Sequence, residues 1–421
     1  MSLSSEKYIA NDSREPPVPI GKLPPVGTLP ANMYAQVIRE ERFGEPRSAF
    51  QMEVVPVPKP GPGQVVVAVM AAGINYNNVW AGLGYPLNVI AQRRAPGASG
   101  VSEDFHIGGS EASGIVYAVG AGVNHPRVGD EVVVHGGAWN PEDAFVRAGK
   151  DPILSSSAKA WGYETNWGSF AQFCRVYAHQ CLPRPPALSW TEAASYILCG
   201  ATAYRMLQHW SPNRVRAGDV VLVWGAAGGL GVMALQLVAA AGGVAIAVVG
   251  SNERGAICRE LGAHGIMLRT DFDIKGDLPE GLTPEAYRKW IARVDGFKQR
   301  FLELSGGRLA DVVFEHPGQD TLPLSCYVCA PGGMVVTCAA TTGYRAATYL
   351  PDFVHKQIRL QGSHFANQDD CVALNDLVRA GTIRPVLASA FAFEETGHAH
   401  QLLYENRNPP GNMVVRIGAA E

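Results

Sequence analysis

The sequence predicts an α/β protein with a mostly-β first half, a doubly wound parallel sheet after it, and a tail that returns to the first half. Three observations carry this. From Met52 to about Tyr177, short apolar stretches such as "QVVVAVMAAGI" and "DEVVVHG" alternate with Gly-rich turns, as strands and their connections do. From "SWTEAASYILCGATAYRMLQHW" the apolar spacing becomes helical, and after Gly218 strand and helix signals alternate down to about Gly343. Between a strand and a helix of that second half lies the glycine-rich "WGAAGGLG". The organisation that follows is residues 1–195 for an arm and the first domain, 196–348 for the nucleotide-binding sheet, and 349–421 for the returning segment.

Taken in order, the Pro-rich start reads as an extended arm without the continuous apolar core of a signal peptide. "PKPGPGQ" is a turn cluster between two apolar alternating stretches. "YPLNVIAQRRAPGASGVSEDFHIGG" is long, irregular and polar, a candidate surface loop or lid. Asp219–Trp224 is expected as a buried strand, Gly225, Gly228 and Gly231 as the turn, a helix to Ala241, and Val244–Val249 as the next strand. "LTPEAYRKWIARVDGFKQRFLELSG" reads as a helix with Thr283 as N-cap and Pro284 at its first position. "ADVVFEHPG" is a strand and turn, "QDTLPLSCYVCAPGG" a short helix ended by Pro331 and Gly332, and "MVVTCAATTG" the following strand. The tail mixes a helical segment with a last strand, "NMVVRIG".

The chain of 421 residues has 47% hydrophobic and 17% charged residues, an ordinary globular balance, and a formal net charge of -3. That balance gives no electrostatic reason for a nucleic-acid or membrane partner, so a bound anion has to be held locally. Apolar runs are shorter than a membrane span or broken by Gly, and a cytoplasmic protein is expected. The cysteines Cys174, Cys181, Cys199, Cys258, Cys326, Cys329, Cys338 and Cys371 are scattered and imply no disulfide framework. Cys326 and Cys329 fall three apart on one face of the expected helix, where small apolar residues pack on a sheet. No second pair with metal-ligand spacing accompanies them, so they read as core rather than as zinc or redox groups.

Glycines between a strand and a helix let the backbone approach a pyrophosphate, whose charge meets the free N–H groups and dipole of the helix. Gly225, Ala226, Gly228, Gly229, Leu230 and Gly231 are the candidates for that contact. After the second strand, where an NAD-selective site has an acidic residue for the ribose, this chain has Gly250-Ser251-Asn252-Glu253-Arg254. Ser251 and Arg254 suit a 2'-phosphate, which favours NADPH. The other reading makes Arg254 a solvated charge and gives the ribose to Glu253. His316-Pro317-Gly318 and Ala340–Gly343 follow strands at the dinucleotide edge and are expected to border the nicotinamide half.

The order of these parts resembles the medium-chain dehydrogenase/reductase superfamily over nearly the whole chain. That implies a GroES-like catalytic domain beside a Rossmann domain, and a homo-oligomer, dimer or tetramer. The alcohol dehydrogenases of the superfamily hold a catalytic zinc; at the matching positions this chain has Asn75, Ser110 and Cys199, which leaves one thiol and no three-ligand site. The motifs "NYNNVWAGLG", "WGYET", "GSFAQFCRV", "ATAYRML", "VVFEHPG", "GSHFA" and "NPPGNM" resemble the crotonyl-CoA carboxylase/reductase family in its zinc-free branch. The resemblance implies NADPH-dependent reduction of an α,β-unsaturated acyl-CoA with addition of CO2 to the enolate.

By that resemblance Asn77 donates its amide to a CO2 oxygen, Glu164 and His364 hold an ordered water that donates to CO2, and Tyr163 shapes the pocket. Each has a plainer reading. Asn77 could satisfy loop backbone, with Asn75 or Asn78 as the functional amide; Glu164 could be an ordinary loop carboxylate, His364 a core histidine and Tyr163 a packing aromatic. Lys298 falls where the family has a cation near CoA, or lies on a solvated helix face. The family often carries an Arg-Tyr pair ahead of "GSHFA" for the CoA nucleotide, and here Pro351-Asp352 stands instead. Two other functions stay open: an NADPH-dependent enoyl-CoA or quinone reductase that protonates its enolate, and a non-enzymatic nucleotide-binding protein of the same superfamily.

Overall fold

The computed structural model describes residues 16–94, 103–274, 278 and 283–418. These residues form two compact units, one within Met1–Ser195 together with Ser389–Asn408 and the residues from Met413 on, the other within Tyr196–Ala388 together with Pro409–Asn412.

The first unit is built on the strand Gln64–Ile74, whose Val- and Ala-rich run is buried on both faces as a central strand requires. It pairs antiparallel with Ala112–Val119 and Phe173–Tyr177, and from residue 71 to 74 with the last strand of the chain, Met413 lying opposite Ile74. A smaller sheet places Asn32–Ile38 between Gln51–Pro56 and His106–Ile107. Met33, Val37, Val66, Tyr117 and Phe173 share one core. The described part of the Pro-rich arm packs on this core through Leu23 and Leu29, and the Tyr117 hydroxyl donates to the Pro24 carbonyl at 2.7 Å.

The polar stretch expected as a loop or lid contains a helix, Val89–Arg94. Asn88 explains its start: the side-chain oxygen accepts from the amides of Ile90 and Ala91 at 3.1 and 2.9 Å, and Val89 and Ile90 turn into the core. Its far end is not a surface loop either, because His106 and Ile107 are buried as a strand paired with Ile38 and Val37; residues 95–102 of that expectation lie outside the described residues.

The second unit holds a six-stranded sheet in the order Ala263–Leu268, Val244–Val249, Val220–Val223, Ala310–Glu315, Cys329–Thr337, Arg359–Gly362. Neighbours are parallel throughout. Strand order reverses between Val220–Val223 and Ala310–Glu315, and that switch point is where a doubly wound sheet binds ligands. The first of these strands is shorter than Asp219–Trp224. Arg359–Gly362 pairs with Cys329–Thr337, and the helix Gln368–Arg379 follows within the same unit, so a boundary at 348 would cut through the sheet.

The helix Pro284–Leu304 starts at Thr283, whose hydroxyl accepts from the Ala286 amide at 3.2 Å. Trp290, Val294, Phe297 and Phe301 repeat at helical spacing and are buried, with Phe297 stacked on Trp224 at 5.3 Å between centroids. Cys326 and Cys329 belong to the same core, but not to one helix. The helix Leu322–Val328 ends before Pro331 is reached, because Cys329 already pairs with Ala310 as the first residue of the next strand. Burial pushes both thiols up to about 12. A thiol-reactive dye at pH 7.5 is therefore expected to leave Cys326 and Cys329 unlabelled in the native protein and to label both in urea; native labelling detected by peptide mapping would contradict this. Among the described residues no helix is long and apolar enough to cross a membrane.

Candidate active site

The glycine turn joins Val220–Val223 to the helix Gly229–Ala240. Gly225 has φ +55°, and a Cβ there would stand 2.5 Å from Nε2 of His316. A Cβ on Gly231 would stand 2.5 Å from the Cα of Ala226, so the helix can lie this close to the turn only with glycine. The amides of the first helical turn have no partners within the helix. Turn, dipole and close approach together fit a dinucleotide pyrophosphate.

At the end of Val244–Val249, Ser251 caps the helix Asn252–Glu260, its hydroxyl accepting from the Arg254 amide at 3.4 Å. The exposed Glu253 carboxylate is held below its ordinary range by a hydrogen bond with the Ser251 side chain. Ser251 therefore fixes the turn that puts residue 254 beside the strand end, and both Glu253 and Arg254 sit in the first turn of this helix.

His316 lies against Gly225. Burial lowers its imidazole to about 4, so it is neutral and its Nε2–H donates to the Trp224 carbonyl at 3.1 Å. The residue before it, Glu315, is fully buried, and that burial raises its carboxyl to about 7 although it accepts from Ser325 at 2.6 Å, Thr321 at 2.8 Å and the Gly318 amide at 2.9 Å. Ser325 also accepts from the Trp224 indole at 2.9 Å, which ties the ends of the two switch-point strands together.

Glu315 has a pH consequence. An acid whose folded pKa is raised from 4.5 to about 7 keeps its proton in the folded state while the unfolded state loses it. Its contribution to stability therefore falls as pH rises through that window, by about 3 kcal/mol in all. The stability of Glu315→Gln minus that of the parent is expected to grow by that amount between pH 4.5 and 7.5 in urea titrations. A flat difference would show that Glu315 is ionised in the folded protein.

Asn412, which no sequence argument singled out as a site residue, closes the turn from the other side. Gly411 donates to the Ala227 carbonyl at 2.9 Å, and the Asn412 side chain occupies the space a Cβ on Gly229 would need. Its signal was present in "NPPGNM", a turn cluster in a place where the strand pattern alone needs none.

In the first unit, Asn77 sits in the first turn of the helix Tyr76–Leu83. Its amide nitrogen donates to Ser110 at 2.7 Å and its oxygen accepts from Asn78 at 3.0 Å. Asn75 donates to the buried Glu111 at 2.9 Å. The Tyr163 ring lies 6.4 Å from that of Trp80 on the same helix as Asn77. Glu164 closes its own turn, Oε2 accepting from the Ala160 amide at 2.7 Å, while Oε1 stands 3.8 Å from the Lys159 ammonium. Asn77, Tyr163 and Glu164 thus share one unit. His364 belongs to the other, where it follows the strand Arg359–Gly362 and is exposed, which removes the core-histidine reading.

The positions matching zinc ligands carry an amide engaged with a carboxylate, a hydroxyl engaged with an amide, and the Cys199 thiol 3.6 Å from the Asn412 oxygen. Neutral amides and hydroxyls do not form a structural or catalytic zinc site, so this donor set does not fit the metal.

Lys298 turns inward from the helix Pro284–Leu304: its ammonium is 3.3 Å from the Tyr327 hydroxyl and 4.6 Å from the ring centroid. Arg288, Lys289, Arg293 and Arg300 are exposed. Asp352 is buried and pairs with Lys356 at 3.0 Å, while Lys356 also donates to the Tyr327 carbonyl at 2.8 Å. Where the resembled family has Arg-Tyr, this carboxylate is committed to an internal ion pair.

Comparison with known proteins gives two family matches: an alcohol dehydrogenase GroES-like domain over residues 61–186, and a zinc-binding dehydrogenase domain over residues 229–380. A crotonyl-CoA carboxylase/reductase from Cereibacter sphaeroides is 45% identical over 95% of this chain and 91% of its own length. Among solved structures, the crotonyl-CoA carboxylase/reductase AntE in complex with NADP superposes with a TM-score of 0.91 at 50% identity, over 96% of this chain and 98% of that one. The 2-octenoyl-CoA carboxylase reductase CinF, in complex with NADP and 2-octenoyl-CoA, superposes with a TM-score of 0.85 at 33% identity, over 93% and 89%.

Proposed function

The chain belongs to the crotonyl-CoA carboxylase/reductase family, and from that premise we propose that it reduces an α,β-unsaturated acyl-CoA with NADPH and adds CO2 to the resulting enolate, giving an alkylmalonyl-CoA. NADPH supplies the hydride that goes to C3. The electron pair of the enolate then forms the bond from C2 to the carbon of CO2, and the charge ends on the new carboxylate.

CO2 is uncharged before that bond forms and anionic after it. A donor already aimed at one of its oxygens therefore stabilises the transition state more than the ground state, and a bulk-water proton must be kept from C2. The proposal gives the donor role to Asn77, whose second amide hydrogen has no partner among the described residues. That open hydrogen is the observation in this chain that carries it. Glu164 and His364 remain the proposed holders of an ordered water and Tyr163 a wall of the pocket. Glu164 has one oxygen spent on its own turn, and the proposed water would bond to the other, which stands 3.8 Å from the Lys159 ammonium.

For the cofactor, Gly225, Ala226, Gly228, Gly229, Leu230 and Gly231 are proposed to hold the pyrophosphate, Ser251 and Arg254 the 2'-phosphate, and His316 the turn from beside Gly225. Lys298 is proposed near the acyl-CoA nucleotide, with Tyr327 orienting it. The proposal also includes a cytoplasmic location, in keeping with eight free cysteines, and a homo-oligomer joined through Arg359–Gly362, one of the two edge strands of the parallel sheet.

The test is incubation with NADPH, crotonyl-CoA, bicarbonate and carbonic anhydrase, with products separated by chromatography. Ethylmalonyl-CoA is expected. Accumulation of butyryl-CoA alone would replace the proposal by plain enoyl-CoA reduction.

A further inference from the structure

We infer that Asn78 is a positioning residue that decides which end of the Asn77 amide is presented to the reactants; the inference rests on the reading of Asn77 as the donor to CO2. Asn78 is fully buried, so both ends of its amide need partners. Its oxygen accepts from the backbone amide of Gly109 at 2.9 Å. A backbone N–H can only donate, which fixes the atom facing it as oxygen and turns the Asn78 nitrogen toward Asn77. That nitrogen, 3.0 Å away, needs an acceptor, so the Asn77 oxygen must face it. The Asn77 nitrogen is thereby placed on the opposite side, bonded to Ser110 at 2.7 Å, with its other hydrogen open.

The orientation is thus relayed from one backbone N–H, and that N–H is itself held. The Gly109 and Gly108 carbonyls accept from the Ser169 and Phe170 amides, both at 3.0 Å. Gly109 has φ +101°, and a Cβ on it would meet the Ser169 amide nitrogen at 2.7 Å. A Cβ on Gly108 would run into the Asn78 oxygen. Residues 108 and 109 are therefore pressed between Asn78 and the segment that follows Tyr163 and Glu164, and the latch has no slack in which the Asn77 amide could turn over.

The substitution that separates this from ordinary packing is Asn78→Asp. It keeps the shape and the contact with Gly109, but its carboxylate cannot donate to Asn77. The Asn77 amide then turns its nitrogen to position 78 and its oxygen outward. The readout is the ratio of carboxylated to protonated product at fixed bicarbonate, which is independent of total turnover. We expect that ratio to fall about tenfold, the effect of one hydrogen bond present only in the transition state. Asn78→Ala, which frees the amide to take either orientation, is expected to fall by a smaller factor and serves if the first variant does not fold.

Asn77→Ala is the reference. If its ratio collapses while both Asn78 variants keep the parent ratio, the latch is overturned even where their total rates drop. If Asn77→Ala itself keeps the parent ratio, the reading of Asn77 fails and the latch with it.

Discussion

Asn77→Ala is expected to convert a carboxylase into a leaky reductase. With saturating bicarbonate, the ratio of alkylmalonyl-CoA to saturated acyl-CoA should drop by about 10- to 100-fold, because a preorganised donor to a developing carboxylate contributes on the order of 1.5–3 kcal/mol. NADPH is still consumed, since hydride transfer to C3 does not need a donor on CO2. Asn77→Asp should fall further than Asn77→Ala: its carboxylate would repel the charge that builds on the CO2 oxygens and would still occupy the site. That order distinguishes a donor from a spacer. Equal ratios for the parent and both variants, measured by chromatography of the CoA products, would remove Asn77 from the carboxylation step.

The same residue shows how far sequence could reach. The sequence motif placed Asn77 among three asparagines and left Asn75 and Asn78 as rivals. The structure gives each its own partners: Asn75 donates to Glu111, Asn77 donates to Ser110, and Asn78 donates to Asn77 while accepting from Gly109. No spacing rule contains that, because Ser110, Glu111 and Gly109 reach the helix from a distant part of the chain. The second unit was more legible. Its strand Val244–Val249 and the Thr283 cap were readable because β-branched runs and Ser/Thr–Pro starts are local signals.

Where local signals misled, a pairing or burial at long range had the larger effect. Pro331 suggested the end of a helix, yet Cys329 already belongs to a strand because Ala310 pairs with it. "YPLNVIAQRR" looks polar, but Asn88 caps a short helix whose Val89 and Ile90 reach the core. Glu315 was invisible as a special residue, since a carboxyl before a turn is ordinary until three donors converge on it in the interior.

Gly231→Ala is the second large expected effect, on the cofactor. The added methyl would stand 2.5 Å from the Gly225 carbonyl oxygen and from the Ala226 Cα, all backbone, so no side chain can move aside. The helix Gly229–Ala240 has to withdraw from the turn, and its first amides withdraw with it. Hydrogen bonds to a charged pyrophosphate are worth about 1.5–3 kcal/mol each, so losing one or two good ones should raise KM for NADPH about 10²-fold while kcat changes less. Gly296→Ala is the control, because a methyl there meets nothing within 4 Å and alanine is the better helix former. If Gly231→Ala bound NADPH as tightly as Gly296→Ala in a fluorescence titration, the close approach of helix to turn would serve packing alone, and the pyrophosphate would have to be held by other backbone groups at the switch point.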